Sequence, residues 1–308
     1  MNYIDTNRPN ILKAKDEHHT HLSSIIKRKL LRATNAIDEV RDFLNNEDEL
    51  RKVLVGSPTE LNTIKNKFVA EPQRRFLERM INYDAWVKGE GLFKEYSAYT
   101  LANNLDIPTC PYCSRMYTKT VIMDEKINST IKKVTRPTFD HWFPKAKYPL
   151  LALSFYNLVP SCHVCNCGVK GKNEFRLHTH FHPYHNPERH NKLDYSFSYE
   201  LSEYNKHVFK MVTVNPLLKT SIEAFKLKEI YETHEDEIKD LVDLRNAYSQ
   251  EYLQELKKAF PGSKLSDEEI YRFAFGTYLD EDKFDRRPLS RMKRDILKEL
   301  GVLGGIGE

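Results

Sequence analysis

Apolar residues at Leu22, Ile25, Ile26, Leu30, Ala33, Ile37, Val40, Phe43 and Leu44 recur at helical spacing, which predicts a long amphipathic helix with a charged outer face. Ser57-Pro58-Thr59-Glu60 reads as a fresh helix start, with Ser57 as N-cap, Pro58 in the first turn and Glu60 reaching back. Helical patterns follow over Glu71–Val87 and Phe93–Asn104, so residues 1–105 are expected to form a helical N-terminal region. From Ile107 to His190 cysteines, histidines, prolines and short β-prone runs such as Tyr117–Met123 replace that periodicity. Tyr195, Phe197, Tyr199 and Leu201 then alternate with polar residues, and Val208–Val214 is a second β-rich run, which together predict a hairpin. Helix returns over Ser221–Phe260, over Ser266–Tyr278 with a Ser266/Glu269 capping box, and over Leu289–Leu300 with Gly301 as terminator. The expected class is α+β: mostly helical flanks (1–105 and 191–308, the latter opening with the hairpin) around a small core at 106–190.

Composition narrows the class without naming it. At 308 residues, 40 % hydrophobic and 30 % charged, the chain is long and apolar enough to bury a core, so general disorder is excluded. The longest apolar run, Tyr148–Pro160, is 13 residues and includes Ser154 and Asn157, too short to span a bilayer. The first residues lack the apolar core of a signal peptide, so a cytoplasmic location is expected.

Five cysteines in such a chain argue against a disulfide scaffold and for metal binding. Four fall in two C-x2-C knuckles, Cys110-Pro-Tyr-Cys113 and Cys162-His-Val-Cys165, separated by 48 residues. That ligand type and spacing suit a tetrahedral four-cysteine zinc site, whose closed shell makes the ion structural. Cys167 is left over and is expected to be a small buried side chain or, failing that, a substitute ligand.

Between and beside the knuckles lie Asp140-His141-Trp-Phe-Pro144-Lys145, then Asn157-Leu158, then Cys165-Asn166-Cys-Gly-Val-Lys170-Gly171-Lys172. A carboxylate beside an imidazole pairs a hard oxygen ligand for Mg²⁺ with a group that can take a proton from water, and Asn166 offers a second oxygen. Taken alone, Asp140 and His141 read more readily as a surface turn than as a catalytic pair. In this order and spacing, however, the residues from Cys110 to Phe175 resemble the HNH, or ββα-metal, endonuclease family, in the version whose site is bracketed by two C-x2-C pairs. The resemblance implies that His141 is the general base, that Asp140 and Asn166 hold a catalytic Mg²⁺ or Mn²⁺, and that Asn157 orients the loop of the base. It departs from the family pattern at one point: three residues, not the commoner two, separate Asn166 from Lys170-Gly171. The flanks resemble, more loosely, the nuclease subunits of bacterial anti-phage systems of the Septu and retron-associated type. That implies an ABC-like ATPase partner; this chain has no P-loop of its own.

Charge adds weight to an anionic substrate. The net charge of +4 conceals +7 between Cys110 and Arg176, a concentration suited to the DNA phosphate backbone, with Lys145, Lys170 and Lys172 expected to touch it. Trp142, Phe143, Tyr148, Phe155 and Tyr156 are expected to pack the small core. His18, His19 and His21 are expected to lie exposed before the first helix, and His178, His180, His182, His185 and His190 at the rim of a cleft. The competing reading is a non-catalytic zinc module that binds nucleic acid or protein. It would keep the four cysteines but have no use for Asp140, His141 and Asn166 together.

Overall fold

The chain is an α+β protein, described here by a computed structural model over residues 1–125, 130–171, 173–185, 194–204, 206–247, 252–259 and 265–303. Among the described residues, the buried apolar side chains other than Phe284 form one contiguous cluster from Met1 to Val302. Among the described residues no helix is long and apolar enough to cross a membrane.

Helix α1 (Pro9–Leu31) starts on a proline and buries one stripe, Ile11, Ala14, His18, Leu22, Ile25, Ile26 and Leu30. The sequence pattern runs on to Leu44, but the helix does not. The chain breaks after Leu31, Asn35 takes a left-handed conformation (φ 54°), and α2 (Asp38–Asn45) sets out anew. The periodicity persisted because α2 lays Val40, Phe43 and Leu44 into the same core. Helix α3 (Glu47–Val55) is capped by Asn46, and α4 (Pro58–Ile64) by the expected Ser57/Glu60 box. Two further expected helices are shorter than their patterns. Asn82, whose side chain accepts from the Ala85 amide, divides α5 (Glu71–Met80) from α6 (Tyr83–Lys88), and α7 (Ala98–Leu105) begins only at Ser97.

His18 is not exposed. It lies inside α1 with 0 % of its surface accessible. Its Nδ1 accepts from the Tyr96 hydroxyl (3.0 Å) and its Nε2 donates to the Leu153 carbonyl (2.7 Å), tying the N-terminal helices to the segment before Asn157.

The middle of the chain carries two antiparallel hairpins. Strands β1 (Val121–Glu125) and β2 (Thr130–Thr135) form the first. Strands β3 (Thr138–His141) and β4 (Leu158–Ser161) form the second, with Asp140 opposite Val159 and His141 opposite Leu158. A wide helical turn of the π type, Val164–Lys170, follows β4 directly. The expected C-terminal hairpin is β5 (Ser196–Leu201) with β6 (His207–Val212).

Among the described residues, the long helical stretch expected after it holds α8 (Pro216–Ala224), α9 (Leu227–Glu232), α10 (Glu235–Ala247) and α11 (Tyr252–Lys258). Lys226, at φ 49°, makes the first of these breaks. Helix α12 (Asp267–Phe275) carries the expected capping box, and α13 (Ser290–Glu299) packs on β5, where Asp295 accepts from the Phe197 amide (3.0 Å). Two contacts bring this C-terminal region onto the first knuckle. The Tyr231 hydroxyl donates to the Cys113 carbonyl (2.6 Å), and the Leu289 amide to the Ser114 carbonyl (2.9 Å).

Candidate functional site

The fold brings Cys110, Cys113, Cys162 and Cys165 together: all four are buried, and their Sγ atoms lie within 4.8 Å of one another. Cys113 and Cys162, from opposite knuckles, are 3.9 Å apart at sulfur. Tetrahedral zinc with Zn–S bonds of about 2.3 Å requires sulfurs about 3.8 Å apart. The donor set therefore fits a structural zinc ion. Burial pushes the Cys110 thiol well up, while hydrogen bonds from the other thiols, Cys110 first, hold Cys113 well below its ordinary value. A divalent cation would resolve that competition by stabilising thiolates. Cys167, expected to be buried, is exposed.

Asp140 and His141 close strand β3. The Asp140 carboxylate is 3 % exposed and both its oxygens are engaged: Oδ1 accepts from Lys170 Nζ (2.8 Å) and Oδ2 from the Tyr112 hydroxyl (2.6 Å). Burial, with the neighbouring Asp140 charge, holds the Tyr112 hydroxyl well above its usual range, so it remains a donor. His141 is half-buried. Its Nε2 donates to the Ala152 carbonyl (2.9 Å), which fixes the tautomer and leaves Nδ1 as the basic nitrogen. Burial pulls the imidazole down to about 4, so it is neutral at pH 7. The Tyr83 ring meets it edge-on at 4.5 Å.

Asn157 sits at the foot of β4 and is fully buried. Its Oδ1 accepts from the Phe143 amide (2.7 Å), and its Nδ2 donates to the carbonyls of Phe143 (3.1 Å) and Leu151 (2.9 Å). One amide side chain thus holds both ends of the loop that leaves His141. Of the five aromatics expected to pack this region, Trp142, Phe143, Tyr148 and Phe155 are buried core residues, and Tyr156 is partly buried against them.

The extra residue between Asn166 and Lys170 is taken up by the π turn. Gly171 donates to the Asn166 carbonyl five residues back (3.0 Å), and Gly171 itself adopts φ 50°. Lys170, expected at the phosphate backbone, is instead buried: its Nζ bonds Asp140 and the His141 carbonyl (2.8 Å each) and lies over the Phe175 ring. Asn166 is half-buried on the same turn. For a divalent ion at Asp140 and Asn166 this arrangement is a poor fit. The carboxylate is enclosed, its oxygens are taken, and the charge opposite it is already an ammonium.

Of the other expected contacts, Lys145 is exposed, near Asp84 (3.5 Å) and over the Tyr83 ring, while Lys172 lies outside the described residues. Among the histidines expected at a rim, His180 stacks on Phe175 (4.2 Å), His182 is buried against Trp142 (4.5 Å), and His190 lies outside the described residues. Sequence reasoning passed over Tyr112 and Tyr83. Tyr112 carries no signal beyond being an aromatic residue inside a knuckle, and Tyr83 lies far from the site along the chain. The chain matches no family model, no curated protein and no solved structure.

Proposed function

We propose that this protein is an HNH-type endonuclease that hydrolyses phosphodiester bonds of DNA, with zinc at the four cysteines as a structural staple. The observation that carries the reading is the clasp of Asn157 on the loop leaving His141, on a hairpin followed at once by a helical turn bearing Asn166. In this reading the Ala152 carbonyl orients the imidazole, and His141 Nδ1 takes a proton from the attacking water. Lys145, exposed beside Asp84 and over the Tyr83 ring that meets His141, offers a positive charge to the phosphate. The Mg²⁺ or Mn²⁺ implied by the resemblance would require the Lys170 ammonium to leave Asp140 first. An ABC-like ATPase partner in anti-phage defence belongs to the same proposal and rests on the flanks alone.

The second reading, a non-catalytic zinc module, draws on the saturated Asp140 carboxylate. One experiment separates the two. Purified protein is incubated with plasmid and linear duplex DNA plus Mg²⁺ or Mn²⁺, alone and with its candidate partner, beside His141→Ala. Nuclease action predicts cleavage that falls by about 10²–10⁴-fold in the variant. Equal cleavage by both proteins, or none under any condition, favours the zinc module.

A further inference from the structure

The β1–β2 hairpin is a two-stranded ribbon whose described apolar side chains, Val121, Ile122 and Met123 on β1 and Val134 on β2, are exposed, while Lys133 of β2 reaches back to Ser97 and the Tyr99 ring. Neighbouring residues of β1 point to opposite faces, yet Val121, Ile122 and Met123 are 41 %, 36 % and 52 % exposed, and Val134 on β2 is 48 % exposed. An isolated hairpin of this kind gains little stability from its own contacts, and bare apolar residues on it mark an interaction surface. The ribbon is also basic. Between Lys119 and Arg136 the sequence holds five Lys/Arg against two acids. Lys119 is exposed over the Tyr117 ring, and Lys133, opposite Ile122 in the register, is exposed along its stem while its Nζ lies over the Tyr99 ring and 3.5 Å from the Ser97 hydroxyl, so a phosphate would draw it off that weak contact.

Its base is held firmly against the candidate site. The Arg136 guanidinium lies over the rings of Tyr99 and Phe139 and donates to the Pro137 carbonyl (2.6 Å). Two residues, Arg136 and Pro137, join the ribbon to the strand that ends in Asp140-His141.

We propose that the β1–β2 ribbon is the arm that grips double-stranded DNA, entering a groove with its apolar residues against the bases and its lysines on the flanking phosphates. Strands about 5 Å apart, with their side chains, match a major groove about 12 Å wide. Ribbon and wedge contacts to duplexes use this combination of cation and apolar side chain. Charge complementarity favours this occupant over a protein strand. The proposal rests on the nuclease reading for its choice of polymer, and it adds the duplex form and the surface that holds it.

The test is fluorescence anisotropy of the full chain on a labelled 30-base-pair DNA duplex without added Mg²⁺ or Mn²⁺, across a salt series. The single strand of the same sequence serves as competitor. Lys119→Ala with Lys133→Ala should weaken duplex binding at least about tenfold and reduce the salt slope by about two, one phosphate contact per lysine. Ile122→Thr with Met123→Thr should weaken it while leaving the slope unchanged. Circular dichroism confirms that each variant is folded. Unaltered affinity and slope in both double variants overturn the proposal, as does stronger capture of the single strand or no binding by the parent. If the parent binds through the ribbon but cleaves nothing under any metal condition, the nuclease reading fails and the ribbon stands. If it cleaves and the ribbon variants bind unchanged, the reverse holds.

Discussion

The ammonium of Lys170 lies 2.8 Å from Asp140 Oδ1, and the two side chains are 2 % and 4 % exposed. A buried pair of this kind is costly to break from one side, because the survivor keeps its desolvation penalty without its partner. Lys170→Met is therefore expected to lower the unfolding free energy by about 3–5 kcal/mol in urea titrations. Adding Asp140→Asn should restore much of that loss, since a neutral amide needs no counter-charge. A single variant as stable as the parent, or a double variant no better than the single, would show that the pair does not hold the turn.

The four cysteines give a prediction about metal content. The purified chain should carry one zinc ion, released as a mercurial reagent titrates four further thiols after the exposed Cys167 under native conditions. Cys113→Ser or Cys162→Ser should lose the ion and unfold at markedly lower temperature, because binding energy in such sites is folding energy. Retention of full stability by metal-free protein would contradict the structural role.

Asn157→Ala removes three hydrogen bonds from a fully buried position and strands the Phe143 amide and two carbonyls. The expected cost is about 2–4 kcal/mol, at roughly 1 kcal/mol per bond with a further penalty for unsatisfied groups. Amide hydrogen exchange should then accelerate at Phe143. Exchange confined to distant helices would argue against the clasp.

Stability should depend on pH through His18. Burial lowers its pKa from 6.5 to about 4. The folded state thus holds the neutral ring where the unfolded state already binds a proton. That contribution is complete above pH 6.5, declines as the pH falls from there, and is gone below about 4. On the scale of 1.36 kcal/mol per pKa unit it is about 3 kcal/mol. Urea midpoints between pH 7.5 and 4.5 should fall accordingly, and His18→Gln should flatten that slope. A parent and variant with parallel profiles would sink the assignment.

Local signals were legible in the sequence and distant ones were not. The capping boxes Ser57/Glu60 and Ser266/Glu269 formed as written, because a cap is settled within four residues. The knuckles could be paired because cysteine spacing restricts what a thiol can do. Helix length was overread wherever successive short helices share one core: α1 with α2, α5 with α6, and α8 with its successors present continuous patterns across real breaks. The burial of Lys170 and His18 could not be read at all. A polar residue goes inside only when a partner waits there, and those partners (Asp140, Tyr96, the Leu153 carbonyl) are 30, 78 and 135 residues away.

The cysteine pairs tie together two points on either side of the segment holding Asp140, His141 and Asn157. A bound ion there acts as a cross-link, and closing a loop of this size removes about 4 kcal/mol of freedom from the unfolded chain. With zinc bound, the segment between the knuckles would be a cassette with its ends sewn shut, and the supply of zinc would become a step in its maturation.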